Sequence, residues 1–483
     1  MARGREQHIE HLLRRAAFGA VEEEVTHYAA MPFNAAVDRL LSFERFPDDV
    51  DAKIGAPGYV GVTARAVGGF QPATNIDDAR QRWLFRMVHS QRPLQEKMAL
   101  FWHNHFATAY SKISGAFGAA EATRLFAAKP TEDPNAVVGQ LELFRKYAVG
   151  NFRDLLVEVA KDPAMLVWLD GRLNVRGRPQ ENFARELMEL FTMGVGTFQE
   201  TDVYAGARVF TGWNLARPNN NYYAFAYNAG QHDTDAKQFS FPVYQNGSRT
   251  IPARSAAQGM QDGIDLIDAV VRHPATGPRL ARKLYGFFMN EADEPDAALL
   301  QDMSRIYYDS GFEIKPMLFR LMISAQFHDE RNWYKRYAWP VEFVGRSLKE
   351  VGWNGFSLSN ALTPLLNMGQ QLFEPPDVAG WDLGRGWFSS GGMLARMNFA
   401  AQLASNQKFN LRDLARPVAK TPESLLSFVL DKLTPNDFAS TSYNALLDYA
   451  RAGITWNGSD DQIATKAAGL VHLVVGSGDY QLV

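Results

Sequence analysis

The strongest constraint on the fold of this 483-residue chain is a helical spacing of apolar residues that proline repeatedly interrupts. In "RPLQEKMALFWHNHF", Pro93 stands near a helix entry, and Leu94, Met98, Phe101 and Trp102 recur at the helical interval. "NFRDLLVEVAKDPAMLVWLDG" predicts two short helices parted at Asp162-Pro163, with Gly171 as a stop, because the residue before proline avoids the helical region. "DGIDLIDAVVRHPATGPRLARKLYGFFMNEAD" predicts two more, broken at His273-Pro274. "IKPMLFRLMISAQFHDE", "WPVEFVGRSLKEVGW" and "LLSFVLDKLTP" continue the pattern. The chain is expected to be mainly α.

One stretch breaks the pattern. Residues 216–253 are rich in Asn, Tyr and Phe and poor in helix formers. There "FSFPVY" and "RTIP" flank Gln245-Asn246-Gly247-Ser248, and Asn-Gly is a strong hairpin signal. Pro242 would keep such a ribbon at an edge. We therefore expect one large multi-helix domain spanning 1–483, with a small β-hairpin insertion around 216–253. A change of composition at 405–422 suggests a hinge before a C-terminal helical cap from about 420.

Composition limits the function. A formal net charge of −3 argues against a nucleic-acid binder, which usually carries a basic face. The absence of cysteine removes disulfides, thiolate zinc sites and cysteine nucleophiles. No apolar run reaches the ~18 residues that a membrane span needs. "MARGREQHIEHLLRRAAFGA" has charge but no continuous apolar core, so it does not read as a secretory signal. The expected location is periplasmic or extracellular if a leader has been removed, and cytoplasmic otherwise.

The acidic stretch "ENFARELMELF", 181–191, sorts cleanly on a helix turning about 100° per residue. Glu181, Asn182, Arg185, Glu186 and Glu189 share one face, and Phe183, Ala184, Leu187, Met188, Leu190 and Phe191 fill the other. An ordinary wet face explains this pattern. A site also explains it. Glu181, Arg185 and Glu189 are spaced so that one guanidinium can pair with a carboxylate above and below. Glu186 is then left beside a like charge, which raises its pKa where water is scarce. A carboxyl held protonated near one held ionised is what acid–base catalysis needs.

In "FWHNHF", His103 and His105 would point about 160° apart on a helix and cannot share a metal. One is expected to face the acidic helix and the other to cap or pack. "HDTDAKQF" places His232, Asp233, Asp235 and Lys237 on a loop, where an Asx-turn and a functional cluster are equal explanations. "PPDVAGWDLGRGWF" gathers Asp377, Trp381 and Trp387 in irregular chain. With Trp102, Trp213 and Asn182 these form a candidate substrate-binding set, since tryptophan on a loop suits stacking on sugars, although packing explains it too. Gly-x-Ser-x-Gly, the Walker loop, the Rossmann fingerprint and His-Glu-x-x-His are all missing.

Several stretches together resemble one family. "HLLRRAAFGA" (11–20), "PLQEKMALFWHNHFAT" (93–108), "ENFARELMELFTMGVG" (181–196) and "FQETDVYAGARVFTGW" (198–213) come first. "HDTDAKQF", "HPATGPRLARKL", "FEPPDVAGWDLGRGWF" and the ending "GSGDYQL" follow in order. In these the chain resembles the domain-of-unknown-function 1800 family, large bacterial proteins with no settled activity. The resemblance implies a protein that often carries a signal peptide. It also implies a neighbouring gene for a protein related to the alkaline phosphatase and sulfatase hydrolases. Where the family commonly reads Asn-Glu-Asn, this chain has Gln180-Glu181-Asn182, which keeps the carboxylate.

Three functions follow as expectations. The first is a hydrolase of a polysaccharide or related cell-surface polymer, with Glu186 or Glu189 as general acid and Glu181, Asp233 or Asp377 as its partner. Arg185 would orient the carboxylates, and no cofactor is needed. The second is a metal-dependent enzyme, with a transition metal on His103, His105, His232, Glu186 and Glu189. The third is a non-enzymatic scaffold for the hydrolase-like neighbour, with the acidic helix as a buried ion-pair spine.

Overall fold

A computed structural model describes residues 4–62, 69–133, 136–218, 222–381, 384–433, 440–453 and 455–483. Helices dominate these residues, and the strands form only two short antiparallel pairs. The proline rules hold. Pro93 opens α3 (Pro93–His105), which follows α2 (Ile76–His89), itself preceded near the N-terminus by α1 (Arg5–Ala16). Asp162-Pro163 separates α4 (Phe152–Lys161) from α5 (Pro163–Trp168), and the Asp162 carboxylate caps α5 by accepting the Met165 amide at 2.9 Å. Gly171 starts a 3₁₀ turn rather than simply ending a helix.

The acidic stretch gives only a short α6 (Asn182–Glu186), and α7 (Glu200–Val209) follows it. The expected single ribbon is divided in two. Strand β1 (Trp213–Ala216) pairs with β2 (Ala224–Tyr227) in the register Trp213 to Tyr227, so the first hairpin begins ahead of 216. Strands β3 (Lys237–Gln238) and β4 (Thr250–Ile251) form the second, around the predicted Asn246-Gly247 turn. There Gly247 takes φ +85° and donates its amide to Tyr244 at 3.0 Å. Residues 219–221 of the insertion lie outside the described residues.

The His273-Pro274 break separates α8 (Met260–Arg272) from α9 (Thr276–Phe288). Further on come α10 (Pro340–Val351), α11 (Ser359–Asn367), α12 (Ser390–Asn406), α13 (Lys408–Ala415), α14 (Pro422–Lys432) and α15 (Asp460–Val475). Residues 405–422, read as a hinge, thus contain α13, which packs against α15 together with α12.

Helices α2, α3 and α10 form the centre, and nearly every residue of each is buried. A helix enclosed on all sides must neutralise its polar residues internally. Glu96 of α3 therefore meets Arg145 at 2.9 Å and Arg86 at 3.5 Å, and Glu342 of α10 meets Arg336 at 2.8 Å and also Lys97. Burial pushes the Glu342 carboxyl up, but Arg336 and Lys97 hold it down at about 2. The buried ion-pair spine expected of the acidic helix runs here instead.

Candidate functional site: a π turn and its basic pair

The regular helix predicted over 181–191 does not persist. After Glu186 the chain opens into a π turn, Leu187–Phe191, a rare form often found at functional sites. Thr192 and Gly194 close it: the Thr192 hydroxyl donates to the Leu187 carbonyl at 2.5 Å, and the Gly194 amide to Met188 at 2.9 Å. Gly194 takes φ +93°, a conformation that a side chain would strain. Of the predicted apolar face, Phe183, Ala184, Leu187, Met188 and Phe191 are buried, and Leu190 is partly buried against the core.

The polar face differs in its pairing. Arg185 meets Glu181 at 3.5 Å, but its second partner is Glu200, gripped through two nitrogens at 2.9 and 2.7 Å, and not Glu189. The wider turn takes Glu189 out of the four-residue register, while the start of α7 delivers Glu200. This trio is wet, since the Glu200 side chain is 77% exposed. Asn182 is also exposed and donates to Asp170 at 3.1 Å. One cleft of about 390 Å³ lies between Asn75 and Leu372, and one of about 140 Å³ near Lys349; neither is lined by a residue of 181–200. Asn182 thus faces solvent, while Glu181 and Arg185 are partly exposed, their side chains 44% and 32% accessible. Glu186 is different. Burial pushes its carboxyl above the usual range, Glu189 adds to this, and Arg185 opposes it.

The end of the π turn is held by three basic side chains from elsewhere. His105 Nε2 lies 3.1 Å from the Phe191 carbonyl, and Lys283 Nζ lies 3.0 Å from His105 Nδ1 and 3.4 Å from the Leu190 carbonyl. Arg279, one turn before Lys283 on α9, donates to Leu190 at 3.3 Å. Neither cation has a carboxylate within ion-pair distance among the described residues. Burial, then the Arg279 charge, pushes Lys283 down to about 7. Burial also drives His105 well below the usual imidazole range, with Lys283 and Arg279 adding to it. Burial lowers Arg279, and Glu189 opposes the shift. A carboxyl biased toward its protonated form thus precedes the turn, and an amine biased toward its neutral form meets its far end.

The other predicted residues serve packing. His103 diverges from His105 as the helical angle requires. It lies in the core against Trp83, Phe373 and Trp381, where burial pushes it down to about 3, and its Nε2 accepts the Phe373 amide at 3.2 Å. Trp102 is fully buried and donates to the Ala148 carbonyl at 2.9 Å. Trp213 packs on Phe210 and Phe225, and Trp387 on Trp339. Trp381 is locked by its amide donating to Asn104 at 2.7 Å. None of the four offers a ring face to a sugar, which corrects the stacking expectation: each large apolar ring is worth more inside the core. Asp377 is exposed and caps its own turn through the Ala379 amide at 2.8 Å.

"HDTDAKQF" proves to be a closed network. Asp233 is held by two nitrogens of Arg208 at 2.8 and 2.9 Å. Buried Asp262, which sequence reasoning missed, is the hub: it meets Lys237 at 2.6 Å, Arg254 at 2.6 Å and His232 Nε2 at 3.3 Å. Burial pushes the Asp262 carboxyl up, but these three partners hold it below the usual range. His103, His105 and His232 are each engaged separately, and among the described residues no three His, Asp or Glu side chains gather as metal ligands. Lys283 and Arg279 were missed too, although "RLARKL" carries a signal: two cations four apart with no acidic residue in helical reach.

No curated protein and no solved structure gives a significant match to the chain. The family model of the proteins of unknown function DUF1800 matches residues 11–482, nearly the whole chain, and the chain belongs to that family.

Proposed function

We propose that this protein is a hydrolase that works by acid–base catalysis at the π turn, and that its substrate is a polysaccharide or related cell-surface polymer. Glu186 serves as proton donor and Lys283, beside His105, as the base from a separate element. The observation that supports this is that the start of one π turn follows a carboxyl pushed up, while its far end meets an amine pushed down to about 7. A polymer is favoured over a small molecule because the acidic face is open, and an extended chain can lie along an open surface. Val195, next to the turn, is 78% exposed.

The test is release of reducing ends from a panel of polysaccharides by wild type, Glu186→Gln and Lys283→Met. Each substitution is expected to lower turnover by about 10²- to 10⁴-fold. Failure of the wild type on every polymer would sink the proposal.

A scaffold for the phosphatase- and sulfatase-related neighbour is a second reading, favoured by apolar side chains on the C-terminal helices. Leu394 and Met397 of α12 and Leu473 of α15 are exposed, and a side chain added at Gly476 would meet Met397 at 3.7 Å. Leu394→Asp should then abolish co-purification with that neighbour while leaving polysaccharide turnover unchanged.

A further inference from the structure

The end of α1 places Arg14 and Arg15 inside the protein, at 1% and 0% exposure. Arg15 lies near Arg336, Lys97 of α3 lies near both, and Arg396 of α12 lies near Glu342. All are buried. Among the described residues two carboxylates, Glu342 and Glu291, answer Arg15, Arg336, Arg396 and Lys97. Glu342 is shared by Arg336 and Lys97. Glu291 lies near Arg15 and Arg336; its Oε1 accepts the Tyr337 amide at 2.7 Å, and its Oε2 is buried without a hydrogen-bond partner. Arg15 and Arg396 have no carboxylate within ion-pair distance among the described residues. Arg15 donates to the Asn332 carbonyl at 3.0 Å, and Arg396 to Gln481 at 2.8 Å and the Ala338 carbonyl at 2.9 Å.

Hydrogen bonding is also incomplete. Nε and Nη1 of Arg15, Nε and Nη2 of Arg336 and Nε of Arg396 are buried without a protein acceptor. Guanidinium groups do not shed their protons in proteins, so the usual escape of a buried charge is closed to them. Enclosed water would satisfy the N–H donors but not the charge. The carbonyl end of α1 offsets part of it, as it does for any cation in a last helical turn. Lys97, pushed down to about 8 by burial, can lose its proton, and an excess of positive charge still remains.

We propose that Arg15 and Arg336 enclose a small inorganic anion, bound through their unpartnered Nε and Nη hydrogens. A small ion is required because these side chains are shut away from solvent. The site stands apart from the π turn, and it places the sequence "HLLRRAAFGA" in a binding role independent of the acid–base chemistry. Because the anion binds only the folded chain, it stabilises that chain by mass action.

The test uses the full chain, exchanged into sodium gluconate at fixed ionic strength and then supplied with chloride, phosphate or sulfate. One of these is expected to raise the unfolding midpoint by about 3 °C at a hundredfold excess over its Kd. Arg15→Met should lose that response, and Arg282→Met, which removes an exposed cation, should keep it. In parallel, ion chromatography of wild-type protein denatured after desalting should find about one equivalent of a released anion if the ion is held tightly. A midpoint indifferent to all three anions together with less than about a tenth of an equivalent released, or a response that survives in Arg15→Met, would overturn the proposal. The release measurement needs no variant, so it stands even where Arg15→Met does not fold.

Discussion

His105 Nε2 lies 3.1 Å from the carbonyl of Phe191, and this one contact fixes the imidazole's tautomer. A carbonyl can only accept, so Nε2 carries the hydrogen and Nδ1 is left to accept from Lys283 at 3.0 Å. The lysine thus has a neutral acceptor where a carboxylate would otherwise be expected. That is why burial prevails and its pKa falls.

The pH dependence of stability should follow. Lys283 stands at about 7 in the folded protein and near 10.5 when unfolded. Between these values the unfolded chain holds the extra proton, so folded stability rises with pH across that window and the burial cost is fully present below pH 7. Lys283→Met should remove up to about 1.4 kcal/mol per pH unit of that rise. Urea unfolding of both proteins at pH 7 to 9.5 measures the difference, and parallel curves would refute the shift.

Glu186 should show the opposite sign. Its folded pKa is raised, so the stability it contributes is present at low pH and is lost as pH rises through the folded value. Glu186→Gln should therefore gain stability on wild type at pH 8 relative to pH 4. Denaturant midpoints at the two pH values provide the check, and a variant that loses ground at pH 8 would count against a half-buried carboxyl beside Glu189.

Two carboxylates of similar appearance in the sequence should behave very differently. Asp262→Ala leaves Lys237 and Arg254 without their buried partner and should cost about 3–5 kcal/mol. Glu200→Gln breaks a solvent-exposed pair with Arg185 and should leave the unfolding midpoint almost unmoved. Calorimetry of the two variants side by side tests the contrast.

Trp381→Ala separates packing from ligand stacking. The side chain is only 5% exposed and touches His103, so its removal should destabilise the protein by about 3–5 kcal/mol. A variant of unchanged stability that had lost affinity for a polysaccharide would restore the sugar-platform role.

The sequence by itself determined what depends on neighbours a few residues apart. Proline geometry set the breaks at Asp162-Pro163 and His273-Pro274 and the entry of α3, and the helical turn angle sent His103 and His105 to different surroundings. The apolar face of 181–191 was equally legible, because burial of an amphipathic helix depends on spacing alone. Tertiary structure decided the rest. Arg185 could reach Glu189 on a regular helix, but the glycine-rich exit opens a π turn and α7 brings Glu200 closer. Lys283 meets His105 across 178 residues of chain, and Asp262 becomes the hub for three groups that sequence spacing does not connect. Whether a charged side chain is wet or enclosed depends on which distant elements cover it, and desolvation, which no local pattern encodes, then sets its pKa.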